Sequence, residues 1–397
     1  MFSREVRALL IALLITGMII GAFGVGVGTT WLLMHGRSAN ADESASFNVF
    51  WEAWRLVEQN YLGELPSGQQ VAWGAIRGAL ATLNDPHTAF LEPQPRQREK
   101  EDLSGRFGGI GAYVTKAENG SMVLDPMPDL PAEKAGILKG DVLIKVDDAE
   151  ITPDMTVDQV ISLIRGEVGT IVRLTLRRQG QAEPFAVEVE RQEIPSPSVE
   201  WRMLEGAEGT GYIRIMLFSS RTAKELRAAV KELQALGMTR LVVDLRGNGG
   251  GLFDAGIDVA SEFLPDGVVL YQLEKGGTEK TFTVTGSGSY TDRPLVLLVD
   301  GGTASAAEIV AGALQDRGRA VLIGQKTYGK GSVQSVFDLS DGSSVHITSA
   351  KWLTPNRHQI NGQGLTPNID AGITDDDRSQ GRDPQLDRAI QYLTTGQ

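Results

Sequence analysis

The sequence predicts an α/β protein whose C-terminal half holds a largely parallel sheet, preceded by a mainly β domain and by N-terminal helices. Three patterns indicate this architecture. Beyond Pro197 short apolar strands alternate with amphipathic helices, residues 104–193 contain closely spaced short strands, and residues 8–34 contain no ionisable side chain. At 397 residues the chain is long enough for two or three domains.

Composition excludes several classes of function. The formal net charge of −12 argues against nucleic-acid binding, because phosphate recognition requires clustered Lys and Arg. The chain contains no Cys, which excludes disulfide scaffolds, zinc–thiolate sites and cysteine nucleophiles. Its four His argue against a polyhistidine metal centre, and 41 % apolar residues exclude wholesale disorder.

The apolar run at residues 8–34 predicts a transmembrane signal anchor. As a helix rising about 1.5 Å per residue, it is long enough for the roughly 30 Å hydrocarbon core of a bilayer. Arg4 and Arg7 precede it, so residues 1–7 are expected to form a cytoplasmic tail. The alternative is a cleaved secretory signal, for which residues 39–41 (ANA) resemble a cleavage site. Both alternatives place the chain beyond about residue 40 in the periplasm or at the cell surface.

Residues 35–103 are predicted to form an N-terminal helical segment. Apolar residues recur at helical spacing over residues 47–62, and a second helix is predicted over 69–83, before Asn84-Asp85-Pro86. The Trp residues of these helices are interpreted as packing residues. Residues 93–103 are polar, contain two prolines and are interpreted as a linker.

Residues 104–193 are predicted to form a separate, mainly β domain. Residues 108–124 indicate strand, turn and strand, and residues 131–151 indicate a short helix, a Gly turn and another strand. The amphipathic segment 157–167 predicts a helix, and residues 171–178 predict a strand with alternate side chains on opposite faces.

Residues 194–370 are predicted to form the α/β core. Its strands are expected at residues 211–218, 240–247, 294–300 and 320–324, and its helices at 221–237, 254–264 and 304–316. The central strands are almost entirely apolar, as in a parallel sheet covered on both faces. Residues 371–397 are predicted to be a polar tail that ends in a helix over 384–393.

Ser305 is the first candidate for chemistry. A buried strand ends at Asp300, two glycines turn the chain, and Ser305 falls in the first turn of the next helix. Free N–H groups and the positive end of the helix dipole lie there, so the Ala306 N–H is placed to hold a developing oxyanion. The alternative is that Thr303 or Ser305 is only the N-cap of this helix.

A nucleophilic serine requires a base, and Lys330 and His346 are the candidates. Lys330 lies between two glycines after a buried strand, where burial would lower its pKa from about 10.4. His346 lies in a strand, but no local motif supports a Ser-His-Asp arrangement. Residues 324–330 resemble a phosphate-binding loop, yet Gly331 replaces the Ser or Thr that such a loop needs for Mg²⁺, so no nucleotide is expected.

Residues 302–309 (GTASAAEI) and 328–334 (YGKGSVQ) together resemble the carboxy-terminal processing, or tail-specific, serine peptidases. The resemblance implies a crotonase-like α/β core with a Ser–Lys dyad formed by Ser305 and Lys330, and it implies that Gln334 orients the lysine. The offset from 305 to 330, 25 residues, is the spacing associated with that dyad.

Residues 244–251 (DLRGNGGG) resemble the D-x-R-x-N-x-G-G turn of the same family. This implies an oxyanion hole formed by Ala306 together with Gly251, with Gly250 close by. Family-like motifs at residues 84–88 and 366–369 extend the resemblance over nearly the whole chain after about residue 45.

The stretch from residue 106 to 193 resembles a PDZ domain, inserted before the core as in this family. The residues that match the carboxylate-binding loop are Gly108, Gly109, Ile110 and Gly111. Successive N–H groups of such a loop form a nest for a terminal carboxylate, and a strand edge pairs with the peptide. An ordinary Gly-rich hairpin is the alternative. Arg165, at the end of the PDZ helix, either complements the helix dipole or couples peptide binding to active-site assembly.

The resemblance implies a serine endopeptidase that captures protein C-termini through its PDZ domain, cleaves through an acyl-enzyme and needs no metal or cofactor. Two other classes of protein are the alternatives: a catalytically inactive, membrane-anchored PDZ adaptor and a crotonase-like acyl-CoA enzyme. The set Ser305, Lys330 and Gln334 disfavours the adaptor, and the PDZ segment and export signal disfavour coenzyme A chemistry. Expected partners are unfolded or C-terminally exposed proteins, the membrane and a second copy of the chain in a homodimer.

Overall fold

The computed structural model describes residues 41–396, with side chains from residue 47 onwards. The predicted cytoplasmic tail and signal anchor, residues 1–34, lie outside these residues. Within the described part of the chain, no helix is long and apolar enough to cross a bilayer. The described residues divide into two compact units, which meet at Gly74 and Ala75.

The described part of the first unit is helical. Helix α1 spans Ala41–Asn60, and helix α2, Gly68–Ala81, begins in this unit. Both helices predicted from apolar spacing are therefore confirmed. Trp51 of α1 is 53 % exposed, so it is not a packing residue within the described chain. In the second unit, strand β1 spans Ala89–Leu91.

The interpretation of residues 93–103 as a linker is wrong, because the segment forms helix α3, Pro93–Ser104. Both of its prolines fall in the first turn, where backbone N–H groups have no intrahelical acceptor, so they do not interrupt the helix. Gly105, with a φ of 69°, ends it. The helix has no apolar face, and it is fastened by ion pairs such as Arg96 to Asp338 at 2.8 Å.

The next elements form the predicted, mainly β part of the chain. They are β2 Arg106–Gly109, β3 Ala112–Lys116, β4 Met122–Pro126, α4 Pro131–Lys134, β5 Asp141–Val146, β6 Ala149–Glu150, α5 Val157–Ile164, β7 Ile171–Arg177, β8 Phe185–Glu190 and β9 Gln192–Pro195. Strands β3, β4, β5, β7 and β8 form an antiparallel sheet in that order, with β6 beside β5, whereas β2 pairs with β9. A separate apolar cluster, which includes Leu124, Val160 and Leu174, packs α5 against this sheet.

The remaining elements form the α/β core and its C-terminal extension. They are β10 Val199–Met203, β11 Thr210–Ile215, α6 Thr222–Ala235, β12 Arg240–Asp244, α7 Phe253–Ser261, β13 Val268–Glu274, β14 Glu279–Thr283, β15 Leu295–Val299, α8 Ala306–Asp316, β16 Val321–Gly324, β17 Ser332–Asp338, β18 Ser344–Leu353, β19 Ile369–Asp370, α9 Asp375–Ser379 and α10 Pro384–Thr395. One six-stranded sheet has the order β10-β11-β12-β15-β16-β19 and is parallel except for β10.

The two faces of the six-stranded sheet are covered differently. Leu241 and Val243 of β12 pack with α6, α7 and α8 on one face. Val242, between them in sequence, points to the other face, where Ala389 of α10 covers it. This alternation follows from the two-residue period of a strand, and it explains why the central strands are apolar throughout. The C-terminal helix is therefore a structural layer of the core.

A second sheet joins elements that are distant in sequence. Its order is β1-β18-β13-β14, and β17 pairs with β18; all these pairs are antiparallel. The β18 strand was expected around His346, whereas β13 and β14 were not predicted. The turns that follow β12, β15 and β16 leave the same edge of the parallel sheet, because parallel strands end on one side. Binding sites of open α/β sheets lie at this edge.

Candidate active site

Ser305 occupies a strained turn between β15 and α8. Its φ of 56° and ψ of −119° lie in a region that residues other than glycine rarely adopt, at a cost of about 1–3 kcal/mol. Asp300 stabilises the turn, since its Oδ1 accepts the N–H groups of Gly302 and Gly247 at 2.9 Å each. An ordinary N-cap has extended backbone angles, so capping alone does not account for this conformation. A strained strand-to-helix turn of this kind exposes a nucleophilic hydroxyl at the edge of a sheet.

Two glycines bring the turn after β12 against Ser305. A Cβ at Gly250 would lie 2.7 Å from the Ser305 Cβ, and a Cβ at Gly251 would lie 2.2 Å from a backbone carbonyl oxygen. Both glycines have positive φ, 103° and 140°. The Gly250 N–H donates to Asn248 Oδ1 at 2.8 Å. Among the residues that the structure describes, the N–H groups of Gly251 and Ala306 donate to no protein acceptor, so both are available to an oxyanion.

Lys330 lies in the turn between β16 and β17. A Cβ at Gly329 or Gly331 would lie 2.6 or 2.8 Å from a backbone nitrogen, so only glycine permits such close packing on either side of the lysine. Burial lowers the pKa of the Lys330 ammonium group, and the negative charge of Glu99 opposes this shift. A lysine whose pKa is lowered in this way has a larger uncharged fraction at neutral pH, and the uncharged amine can accept a proton.

One cavity of about 860 Å³ has five of the six predicted catalytic and oxyanion residues in its wall, namely Gly250, Gly251, Ser305, Lys330 and Gln334; Ala306 is buried next to Ser305 and does not line it. Apolar side chains line it beside them, namely Leu217, Leu252, Phe253, Ile309, Val333 and Trp352. Within residues 41–396 no hydrogen bond joins Lys330 Nζ to Ser305 or Gln334. The Gln334 side-chain amide donates to Ser332 Oγ at 2.8 Å instead. The structure thus brings the three residues to one cavity without a direct dyad hydrogen bond.

Sequence reasoning did not single out Glu308, a fully buried carboxylate that connects the two catalytic turns. Its Oε2 accepts the N–H groups of Ser305 at 3.0 Å and Lys330 at 2.8 Å. Its Oε1 accepts the Thr327 hydroxyl at 2.5 Å and the Gly329 N–H at 2.7 Å. One side chain therefore sets the position of the nucleophile turn relative to the lysine turn. The signal in the sequence is the capping-box pattern Ser-x-x-Glu ahead of an apolar helix.

His346 and helix α3 also reach the catalytic cavity. His346 Nε2 lies 3.2 Å from Oε2 of Glu99, and both residues line the cavity. Burial lowers the pKa of His346, with the Glu99 charge opposing, so the imidazole is neutral at pH 7. Helix α3, expected to be only a linker, is therefore one wall of the site.

A second cavity, of about 300 Å³, lies between the loop at residues 108–111 and helix α5. Gly109, Ile110 and Gly111 line it on one side, and Ile161 and Ile164 line it on the other. The carbonyl oxygens of Ile110 and Gly111 accept hydrogen bonds from within the domain, at 2.7 and 2.9 Å. In the described chain the N–H groups of these two residues donate to no protein acceptor. They are therefore available to a carboxylate, as the PDZ resemblance implies.

Gly108 lies behind this groove, against the end of α5. Its carbonyl oxygen accepts the Gly166 N–H at 3.1 Å. A Cβ at Gly108 would lie 2.0 Å from the Gly166 carbonyl oxygen, so a larger residue would push the loop away from the helix. Gly108 therefore sets the position of the loop and does not line the groove itself.

Arg165 is the C-cap of α5 and lies at the rim of the groove. Its guanidinium lies 3.8 Å from the centre of the Phe107 ring, and Nη1 lies 3.9 Å from Oε2 of Glu101 on α3. The carbonyl oxygen of Ile164 is bonded by Arg191 instead, at 2.7 Å. Arg191 thus bonds the end of this helix directly, whereas Arg165, at the C-cap, contacts the helix that walls the catalytic cavity.

Arg246 ties the C-terminal helix to the oxyanion turn. Its guanidinium bonds Asp244 at 2.6–3.0 Å and Asp383 at 2.8 Å. Asp383 also caps α10 by accepting the Leu386 N–H at 3.0 Å. Burial alone would lower the pKa of Arg246, but its bonds to Asp383 and Asp244 outweigh burial and raise it. The guanidinium stays charged, and α10 braces the turn that carries Gly251.

Comparison with known proteins identifies the family. The model described as peptidase family S41 matches residues 209–371, and a PDZ domain model matches residues 122–178. The carboxyl-terminal-processing protease of Synechocystis sp. is 36 % identical over 337 residues, which cover 80 % of this chain and 78 % of that protein. The chain belongs to peptidase family S41.

Two further proteins that this S41 peptidase resembles are also named as C-terminal processing proteases. The carboxy-terminal processing protease CtpA of Bacillus subtilis is 34 % identical over 374 residues, which cover 94 % of this chain and 78 % of that protein. A solved photosystem II D1 C-terminal processing protease is 32 % identical, with a TM-score of 0.48 over 87 % of this chain and 96 % of that one. The expected family and enzyme class are confirmed: the chain is a serine peptidase of family S41 with a PDZ domain.

Proposed function

We propose that this S41 peptidase is an endopeptidase that binds protein C-termini through its PDZ domain and cleaves through a Ser–Lys dyad and an acyl-enzyme. One observation carries the proposal: the strained Ser305, the partly buried Lys330 and the unengaged N–H of Gly251 meet at one cavity. The elements of covalent catalysis are a nucleophile, a base of lowered pKa and oxyanion donors, and all three are provided there.

The proposed reaction uses only residues of this chain. Uncharged Lys330 takes the Ser305 proton while Ser305 Oγ attacks the scissile carbonyl carbon, and the N–H groups of Ala306 and Gly251 hold the oxyanion. The Lys330 ammonium then protonates the leaving amine, and water hydrolyses the acyl-enzyme with Lys330 as base. Catalytic hydrogen bonds often form only with substrate bound, and we assign the Ser305–Lys330 bond to that complex. In that complex the Gln334 side chain would give up its hydrogen bond to Ser332 and bond to Lys330 instead.

The proposal is tested with unfolded casein as substrate and the full chain in detergent. Ser305→Ala is expected to lower the cleavage rate by at least about 10³-fold, because the acyl-enzyme can no longer form. Ser340→Ala removes an exposed hydroxyl from the neighbouring hairpin and is expected to leave the rate unchanged. EDTA is also expected to have no effect. A Ser305→Ala enzyme that digests casein at the normal rate would place the nucleophile elsewhere.

We also propose that Arg165 links peptide binding to catalysis through α3. It borders the PDZ groove and approaches Glu101, while Glu99 on the same helix lines the catalytic cavity. A peptide with a free C-terminus is expected to stimulate casein cleavage by the natural enzyme and to stimulate Arg165→Ala much less. Arg177→Ala, which removes an exposed arginine of β7, is the matched control. Equal stimulation of Arg165→Ala and the natural enzyme would remove Arg165 from the coupling.

The proposal includes a location and an organisation for the chain. We place it outside the cytoplasm, in the periplasm or at the cell surface, through the anchor at residues 8–34. Domain boundaries are proposed at 35–103, 104–193, 194–370 and 371–397. A homodimer is proposed through the N-terminal helices, since apolar side chains of α1 are exposed, and through the final helix, α10, on the side that does not cover the core sheet. Alkaline extraction of membranes tests the anchor, since a clipped chain would be released. Sedimentation of the detergent-soluble enzyme tests the dimer.

A further inference from the structure

The C-terminal end of helix α5 would repel a peptide carboxylate in the PDZ groove. A helix C-terminus carries a partial negative charge, because its last carbonyl groups have no intrahelical partner. This end lies against the carboxylate-binding loop, where Gly166 N–H donates to the Gly108 carbonyl at 3.1 Å. Ile164, the last residue of α5, lines the same groove as Gly111. A peptide carboxylate that enters the groove would therefore approach the negative end of a helix.

Arg191 brings a positive charge to this end of the helix from behind the groove, since it is not one of the residues that line it. The residue is 8 % exposed. Its Nε donates to the Ile164 carbonyl at 2.7 Å, and Nη2 donates to the Leu163 carbonyl at 3.4 Å. Its Nη1 donates to Thr170 Oγ1 at 3.0 Å and to the Ile171 carbonyl at 3.4 Å. All four acceptors are uncharged, so the side chain brings a whole positive charge to a site that carries only partial negative charges.

The surrounding charges make Arg191 distinct from the other arginine at this end of the helix. Arg165 lies 3.9 Å from the Glu101 carboxylate, which offsets its charge. In the part of the chain that the structure describes, no carboxylate lies within ion-pair distance of Arg191. A buried cation with no carboxylate in direct contact acts over several ångströms, because the protein interior screens it less than water does. The missing counter-charge is of the kind that a peptide C-terminus supplies.

We propose that Arg191 is a specificity-determining positioning residue of the PDZ groove: it caps the C-terminal carbonyls of α5 and makes the carboxylate-binding loop selective for an anionic peptide terminus. The inference rests on the proposed recognition of C-termini. It explains why the groove would bind a peptide with a free, charged carboxylate more tightly than a peptide with a neutral end. The loop N–H groups alone can donate to either a carboxylate or an amide oxygen, whereas the Arg191 charge favours the carboxylate.

The test compares two probes on the full chain carrying Ser305→Ala, which prevents cleavage. One probe is a fluorescein-labelled peptide ending in Leu-Ala-Val with a free carboxylate, and the other is the same peptide ending in an amide. Arg191→Met keeps the aliphatic stem and removes the charge, and it is expected to weaken free-acid binding by about tenfold while leaving amide binding unchanged. Arg191→Lys, which retains the charge, is expected to restore most of the difference between the probes. Arg173→Met removes an exposed arginine of β7 and is expected to change neither affinity.

The outcomes separate the inference from the proposed function. If the parent chain binds both probes equally, recognition of C-termini is wrong. If the parent discriminates and Arg191→Met discriminates equally well, the role of Arg191 is wrong. If Arg191→Met binds both probes more weakly by the same factor, with an unchanged melting temperature, Arg191 only shapes the groove and the proposed role in selectivity is also wrong. Arg191→Gln, neutral but able to donate to the same carbonyls, replaces Arg191→Met if that variant does not fold, and the same two affinities decide.

Discussion

Lys330→Ala is expected to lower kcat for casein cleavage by at least about 10³-fold. The Ser305 hydroxyl is a poor nucleophile unless a base removes its proton during attack, and Lys330 is the partly buried amine at the same cavity. The double variant Ser305→Ala/Lys330→Ala is expected to be hardly slower than either single variant, because the two residues act as one unit. Steady-state kinetics of the three variants measure this non-additivity.

The pH profile and two further variants distinguish the base. The uncharged amine accepts the proton, and burial lowers the Lys330 pKa, so kcat/KM should rise with pH through a midpoint below the ordinary lysine value of about 10.4. Lys326→Ala, an exposed lysine of the same turn, is the matched control and should retain full activity. His346→Phe should retain most activity. If His346→Phe loses as much as Lys330→Ala, or Lys330→Ala stays active at pH 7, Lys330 is not the base.

Much of the fold around Ser305 could be predicted because its signals are local. The strands β12, β15 and β16 are short apolar runs that end in, or are followed directly by, glycine or aspartate, and the helices of this core are amphipathic. Parallel strands buried on both faces leave this pattern in any sequence. The turns at the carboxyl ends of such strands share one edge, which is why Ser305 and Gly251 lie on the same side of the sheet.

Strands β13 and β14 of the second sheet and helix α3 could not be predicted, because long-range contacts stabilise them. Strand β14 is mostly exposed and shows no alternation of apolar and polar residues, and only its pairing with β13 defines it. Helix α3 has no apolar face and depends on contacts such as Arg96 to Asp338, 242 residues apart. The position of Glu99 in the wall of the catalytic cavity is therefore known only from the structure. An acidic residue in a polar segment carries no local signal of such a position.

Glu308→Gln is expected to lower kcat by about 100-fold, although Glu308 is not assigned contact with substrate. The carboxylate accepts two hydrogen bonds on each oxygen, from Ser305, Lys330, Gly329 and Thr327. A glutamine places an NH₂ group against one pair of these donors, so at least one buried N–H loses its acceptor, at about 1–3 kcal/mol. The turns that carry Ser305 and Lys330 then shift relative to each other. A displacement of about 1 Å in a catalytic arrangement is enough for a loss of this size.

A matched variant separates this positioning effect from lost stability. Glu262 is also a buried glutamate, 6 % exposed, but it pairs with Arg227 and does not line the catalytic cavity. Glu262→Gln should therefore lower the melting temperature by a similar amount and leave kcat close to that of the natural enzyme. Rates are measured well below both melting temperatures. If Glu308→Gln has a lower melting temperature but a normal kcat, the carboxylate supports only the fold. If kcat falls as much in Glu262→Gln as in Glu308→Gln, a general loss of rigidity explains both results. A selective loss in Glu308→Gln would show that catalysis depends on the fixed distance between the serine and lysine turns, because among residues 41–396 no other carboxylate bonds to both.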